Sequence, residues 1–191
     1  MKGSEPHVLQ RADPDGMLDT WLSPNTRRVL DLCTGSGSLA VLAAMAWLDV
    51  TVDATDLSAG ALAVAKRNVD RHALAQSITL RQGDALAAAQ GRYDLILCNP
   101  PYVNRASMQV LPAEFRAEPA MALDGGQDGM DFVRRLLRGA RPYMNEDAVL
   151  VLEIGHEREH FDRAFPQIGA VWLPTSAGDD QVLLMNRDDL P

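Results

Sequence analysis

The chain has 191 residues, 47% of them hydrophobic, and a formal net charge of -8. That acidity disfavours nucleic acid as the main partner, because neutralising phosphate with lysine and arginine supplies much of such affinity. One compact domain with a sizeable core is expected, and with no run long enough to cross a bilayer and no basic-then-apolar leader the expected place of action is the cytoplasm, with no membrane partner.

Residues 1–27 hold two turn-forming clusters, Ala12-Asp13-Pro14-Asp15-Gly16 and Ser23-Pro24-Asn25, around a short segment at 17–22. They are too few for a second core and read as a short extension before a domain spanning 28–191. A buried strand is predicted near 28–33. It runs through Asp31 and Leu32 into the turn Cys33, Thr34, Gly35, Ser36 and Gly37, and a helix near 38–48 follows. This is the strand-turn-helix opening of a nucleotide-binding α/β unit, with Gly35 and Gly37 permitting close approach of backbone to ligand. The turn lacks the full G-x-G-x-x-G spacing and ends in no Gly-Lys-Ser/Thr, which argues against a pyrophosphate cofactor and a nucleoside triphosphate.

The second predicted strand, near 51–55, leads to Asp56, about twenty residues past the turn, where such folds place an acid on ribose hydroxyls. Asp56-Leu57-Ser58 also reads as the N-cap of a helix near 58–72. A third strand near 78–82 ends close to Asp84, whose carboxylate is suited to accept from an adenine amino group. Together these features describe a site for S-adenosylmethionine.

The fourth strand, near 93–98, runs directly into Asn99-Pro100-Pro101-Tyr102. Neither proline has a backbone N–H, so the Asn99 side-chain oxygen and the Pro100 carbonyl can both accept from one planar NH2 group without a competing donor. Tyr102 can lie against the flat face of that group. An amide or aryl amine is a poor nucleophile because its lone pair is delocalised, and two placed acceptors localise that pair toward an electrophile. A methyl donor is the matching electrophile. The stretch 103–127 that follows is long for a connection and reads as a substrate-covering loop.

Further along, a helix near 128–143 carries Arg134 and Arg138 on one face, expected to be solvated. A fifth strand is predicted near 148–154 and another helix near 156–165. The runs 170–174 and 181–186 close the pattern, joined by Thr175-Ser176-Ala177-Gly178-Asp179-Asp180. Strands alternating with helices argue for a parallel sheet covered on both faces. His156-Glu157-Arg158-Glu159-His160 satisfies H-E-x-x-H, yet no later histidine supplies a third ligand, so a solvated helix start is preferred and no metal is expected. Cys33 and Cys98, the two cysteines, suit a reducing compartment and read as small buried residues rather than a redox pair.

On these motifs the chain resembles the HemK-like glutamine methyltransferases, from about Arg28 to about Asn186. Asp31-Leu32-Cys33-Thr34-Gly35-Ser36-Gly37, Leu111-Pro112-Ala113-Glu114-Phe115-Arg116-Ala117-Glu118-Pro119 and Ala177-Gly178-Asp179-Asp180-Gln181-Val182 favour the branch acting on a large-subunit ribosomal protein over the branch acting on release factors. The resemblance implies a Rossmann-like class I S-adenosylmethionine-dependent methyltransferase, with a seven-stranded, mostly parallel sheet closed by a C-terminal antiparallel hairpin. It implies cofactor contacts from Cys33, Thr34, Gly35, Ser36, Gly37, Asp56, Leu57, Asp84, Ala85 and Asn99. Asn99, Pro100, Pro101 and Tyr102 become the substrate-amide clamp. Ala85 departs from relatives that carry a large aromatic there. Relatives also carry an N-terminal helical domain that docks the protein substrate, so the expectation is a catalytic domain alone, either truncated or self-sufficient.

The implied reaction is methyl transfer to the side-chain amide nitrogen of a glutamine in a translation-apparatus protein. A basic ribosomal protein suits the acidic chain. Two other readings stay open at this level: methylation of an exocyclic amine of adenine or guanine, with Tyr102 stacking on a flipped base, and cofactor binding without turnover.

Overall fold

In the computed structural model, residues 25–47, 49–108, 123–176 and 178–191 are described. The family-like stretch 111–119, most of the expected covering loop and the N-terminal segment 17–22 lie outside them.

Seven strands form one sheet in the order β3-β2-β1-β4-β5-β7-β6. They are β1 (Arg28–Leu32), β2 (Thr51–Asp56), β3 (Ile78–Gln82), β4 (Tyr93–Cys98), β5 (Met144–Glu153), β6 (Val171–Thr175) and β7 (Gly178–Asn186). The α/β class and the C-terminal hairpin are as expected: β1 pairs parallel with β2, β2 pairs parallel with β3, and β6 pairs antiparallel with β7. By packing the chain divides into two units, Met1–Leu97 with Tyr143–Val149, and Cys98–Pro142 with Leu150–Pro191.

In the first unit, β1 is buried on both faces, which is why Val29, Leu30 and Leu32 form an unbroken apolar run apart from Asp31. Register pairs Leu30 with Asp53, Asp31 with Ala54 and Leu32 with Thr55, so β2 runs one residue beyond the end of β1, to Asp56. Helix α1 (Ser38–Ala46) presents Ala40, Val41 and Ala43 inward, and α2 (Ala59–Arg71) presents Ala65 and Val69. Those small side chains let the helices sit close to the strands. Arg28, Arg81 and Tyr93 all donate to the buried Asp53 carboxylate, at 3.2, 3.1 and 2.8 Å, so that one polar residue of β2 is fully paired.

The second unit contains α3 (Arg105–Met108), α4 (Asp131–Gly139), α5 (Arg158–Ala164), β6 and β7. Phe161 of α5 stacks near Phe165 and meets Trp172 of β6 edge-on, with ring centroids 4.9 and 5.8 Å away. The expected covering loop opens with an isolated bridge, Val103 to Asp124, and with α3, whose start is capped by the Asn104 side chain accepting from Ser107 N.

Several boundaries differ from expectation for local reasons. β5 begins at Met144, four residues early, through the polar Asn145, Glu146 and Asp147 that an apolar pattern does not register. Asn145 there donates to Asp94 at 2.6 Å. Helix α4 is shorter than 128–143 because Gly129 is left-handed at one end and Arg141–Tyr143 tightens into a 3-10 turn around Pro142 at the other. Arg134 is held by Asp128 and Asp131 rather than by water alone. Arg138 remains exposed, as expected.

Candidate active site

The turn after β1 is shaped by three left-handed residues: Cys33 (φ 57), Gly35 (φ 55) and Gly37 (φ 80). A left-handed non-glycine residue costs roughly 1 kcal/mol, and Cys33 is held in it by the bond from the next amide, Thr34 N to Thr55 O at 2.9 Å. Gly37 N donates to Thr34 O at 2.8 Å, closing the turn onto α1. At Gly37 a Cβ would meet Ala65 at 3.1 Å, so glycine also sets how closely α2 approaches.

Asp56 lies where the spacing places it. Its Oδ2 accepts from Gly35 N at 2.9 Å and its Oδ1 from Ser58 N at 2.8 Å. The cap of α2 is Ser58, whose hydroxyl accepts from Ala61 N at 3.2 Å, so Asp56 is released from the capping role that its position also suggested. Leu57 is 53% exposed, a large apolar side chain directly after the acid. Its carbonyl accepts from Gln82 Nε2 at 3.2 Å, and Gly83 N donates to Asp56 O at 3.0 Å. The structure thus gathers the glycine turn, Asp56, Leu57 and the segment before Asp84. Asp84 is exposed, and Ala85 opens a 3-10 turn with φ 49.

Asp31 was not singled out by sequence, and it is the root of this turn. It is fully buried, and its Oδ2 accepts from Thr34 Oγ1 at 2.5 Å and Ala40 N at 2.9 Å. Its Oδ1 is buried, with no hydrogen-bond partner among the described residues. Burial pushes the carboxyl up to about 7 against the pull of the Thr34 and Ala40 bonds, and the Asp56 charge adds to the rise. Because the folded value lies above the unfolded one, the stability this group contributes is complete below its ordinary range near 4. It is lost as pH rises through about 7. The ligand-free chain is therefore expected to lose stability between about pH 4 and 7, by up to about 1.4 kcal/mol per pH unit, with little further loss above that. Urea unfolding at several pH values checks this: Asp31→Asn should flatten the slope, and an equal slope in both proteins would contradict the assignment.

In the second unit, Asn99 follows β4 with its side chain exposed, while Pro100 is buried. Asn99 Nδ2 donates to Glu153 Oε2 at 2.8 Å. Tyr102 also hydrogen-bonds the Glu153 carboxylate and lowers its pKa, but burial outweighs it and leaves Glu153 above the usual range. The ring of Tyr102 lies on Gly155, where a Cβ would fall 2.6 Å from Cε2 and 3.0 Å from Cζ. Tyr102 is thus oriented from both its hydroxyl and its face. Sequence reasoning missed Glu153, although an acid ending a predicted strand was the signal that found Asp56.

The H-E-x-x-H pattern dissolves on folding. Helix α5 starts at Arg158, so His156 precedes it and cannot share a helical face with His160. Glu157 is buried, accepting from Asn104 Nδ2 at 2.8 Å and bonded to His160 Nδ1. Cys33 is half-buried and Cys98 buried, and among the described residues neither forms a disulfide.

These arrangements can be set beside known proteins. The chain is 53% identical over 192 residues to the ribosomal protein uL3 glutamine methyltransferase of Bordetella pertussis, covering 96% of this chain and 64% of that protein. It is 55% identical over 199 residues to the protein of the same name from Burkholderia pseudomallei, with the same two coverages. The chain thus spans 64% of the length of these relatives. A ribosomal protein L11 methylase from Lactobacillus delbrueckii subsp. bulgaricus shares the fold, with a TM-score of 0.59 at 22% identity over 85% of this chain and 71% of that one. A methyltransferase from Pyrococcus furiosus does so with a TM-score of 0.61 at 18% identity, covering 89% and 79%. The family model described as the methyltransferase small domain matches residues 15–146, and with strand order, glycine turn and Asn-Pro-Pro-Tyr segment all in place, the chain belongs to that family.

Proposed function

We propose that this chain is an S-adenosylmethionine-dependent methyltransferase domain acting on the side-chain amide nitrogen of a glutamine in a basic ribosomal protein, uL3, in the cytoplasm. The observation that carries the reading is the Asn99 side chain. Its NH2 is engaged by Glu153, which leaves its oxygen as an acceptor beside a proline carbonyl. An acceptor pair selects an NH2 group. The likeness to relatives named for uL3 glutamine methylation supports the substrate, and so does the net charge of -8, which favours a basic protein and disfavours RNA or DNA. A release factor is the less favoured protein substrate.

The residues of the first unit fit the cofactor. The left-handed glycine turn brings backbone N–H groups into reach of a ligand, Leu57 offers an exposed apolar face for a purine, and Asp31 Oδ1 is a buried acceptor beside the turn, without a partner among the described residues and suited to an ammonium. Asp56 keeps accepting capacity on both oxygens for ribose hydroxyls while it ties the turn to β2. When bound, S-adenosylmethionine supplies an electrophilic methyl group on a sulfonium. Asn99 Oδ1 and the Pro100 carbonyl hold the glutamine NH2 so that its nitrogen lone pair is directed rather than delocalised. Tyr102, fixed by Glu153 and Gly155, bounds that group from one side. The contribution of the chain is positioning and preorganised polarity; the amide nitrogen sheds one of its protons only after attack, so no base is required before transfer.

The test is incubation of the purified chain with isotopically labelled S-adenosylmethionine, uL3 and ribosomal RNA, followed by mass spectrometry of the separated protein and nucleic-acid fractions. The expected result is label on a glutamine of uL3. Label confined to an adenine or guanine amine would overturn the reading.

A further inference from the structure

Glu153 has no part in the amide clamp as the sequence presents it, yet both clamp side chains converge on it. It is the last residue of β5, and the next amide, Ile154 N, donates to Gln181 O at 2.9 Å in β7, so the carboxylate stands on anchored backbone. Asn99 Nδ2 donates to its Oε2 at 2.8 Å, and the Tyr102 hydroxyl hydrogen-bonds the same carboxylate. Two residues on, Gly155 supports the Tyr102 ring, with no room for a Cβ between them.

An asparagine amide has a donor end and an acceptor end, and the two look alike in shape. An ionised carboxylate can only accept. It therefore dictates which end of Asn99 faces it, and the remaining Oδ1 is turned outward as an acceptor. An outward oxygen suits a substrate NH2 group. It repels a substrate carboxylate, which brings only lone pairs and a negative charge to the same place. Were Asn99 flipped, its NH2 would point outward and the preference would reverse. Asn99 itself cannot set its own orientation; a neighbour with fixed polarity must.

We propose that Glu153 is the positioning residue that sets amide-over-acid selectivity, holding Asn99 with its oxygen outward so that glutamine is accepted and glutamate refused. This rests on the glutamine reading above. The positioning half concerns only residues of this chain and is testable without any substrate.

Glu153→Gln is nearly isosteric and can pair with Asn99 in either orientation, because it offers a donor as well as an acceptor. Glu153→Asp keeps an acceptor-only group. The probes are N-acetyl-glutamine methylamide and N-acetyl-glutamate methylamide, titrated by NMR into the protein saturated with S-adenosylhomocysteine. Wild type should favour the glutamine compound, E153Q should lose at least tenfold of that preference, chiefly through gained glutamate binding, and E153D should recover part of it. In parallel, the Asn99 side-chain NH2 signals should be shifted downfield as a fixed pair in wild type and E153D, and move or double in E153Q. Identical Asn99 signals in wild type and E153Q overturn the positioning role. Equal selectivity in wild type and E153Q overturns the specificity role. A wild type with the fixed Asn99 signal that binds both compounds alike overturns the glutamine reading and the specificity role with it, while positioning stands.

Discussion

Asn99→Ala is expected to reduce methyl transfer by roughly two orders of magnitude or more, the scale of losing a preorganised polar group, about 2.7 kcal/mol. Cofactor affinity should stay within a few-fold, because the Asn99 side chain is engaged by Glu153 and the substitution leaves the glycine turn untouched. Asp56→Ala should behave in the opposite way. It removes the acceptor for Gly35 N and Ser58 N as well as the proposed ribose acceptor, and cofactor binding should weaken by roughly tenfold or more, about 1.4 kcal/mol. Calorimetric titration of S-adenosylhomocysteine into both variants, run beside single-turnover transfer, separates the two. If Asn99→Ala abolished binding while Asp56→Ala left it intact, the roles assigned here would be reversed.

Gly129→Ala is expected to be the most damaging single substitution for stability. The residue has φ +79, and a Cβ built on it would land on the Tyr102 carbonyl oxygen, backbone that has little room to yield. The surrounding loop is stitched to the same segment: Val103 N donates to Leu123 O at 2.8 Å, Gly125 N to Val103 O at 2.9 Å and Arg105 N to Gly126 O at 3.0 Å. Left-handed alanine costs about 1 kcal/mol by itself, and displacing this backbone should bring the total to roughly 3 kcal/mol or more. Transfer activity should fall even where the variant stays folded, since Tyr102 is the residue displaced. Gly60→Ala is the control of opposite sign: it lies in α2, where a Cβ would be 3.5 Å from Ser58 Oγ, an ordinary contact. Removing a helical glycine should add about 0.5–1 kcal/mol. Urea midpoints of the two variants against wild type decide the matter, and equal effects would sink the argument from backbone geometry.

Much of the fold was legible in the residues because the signals are local. A buried parallel strand reads as an unbroken apolar run, a helix as a period, and a turn as glycine or proline, so β1 to β4 and both early helices fall where expected. The glycine turn, Asp56 and Asn99 to Tyr102 were found the same way, each by its position at the end of a strand. The early start of β5 was missed because Asn145, Glu146 and Asp147 extend the strand through ladder pairing, which side-chain hydropathy does not report.

Tertiary structure decided the partners. Glu153 reaches Asn99 across 54 positions, and no spacing rule links them. Asp31 reads as one polar residue in an apolar strand, and only burial turns it into a carboxyl shifted to about 7, with one oxygen unpartnered among the described residues. His156 and His160 match a metal-binding spacing that holds only if both lie on one helix, and α5 starts between them at Arg158. The sequence by itself determined the order of elements and the residues that end each strand, since both follow from short-range propensity and periodicity. Which donor meets which acceptor follows from strand order and packing between distant segments, and those the tertiary structure alone decided.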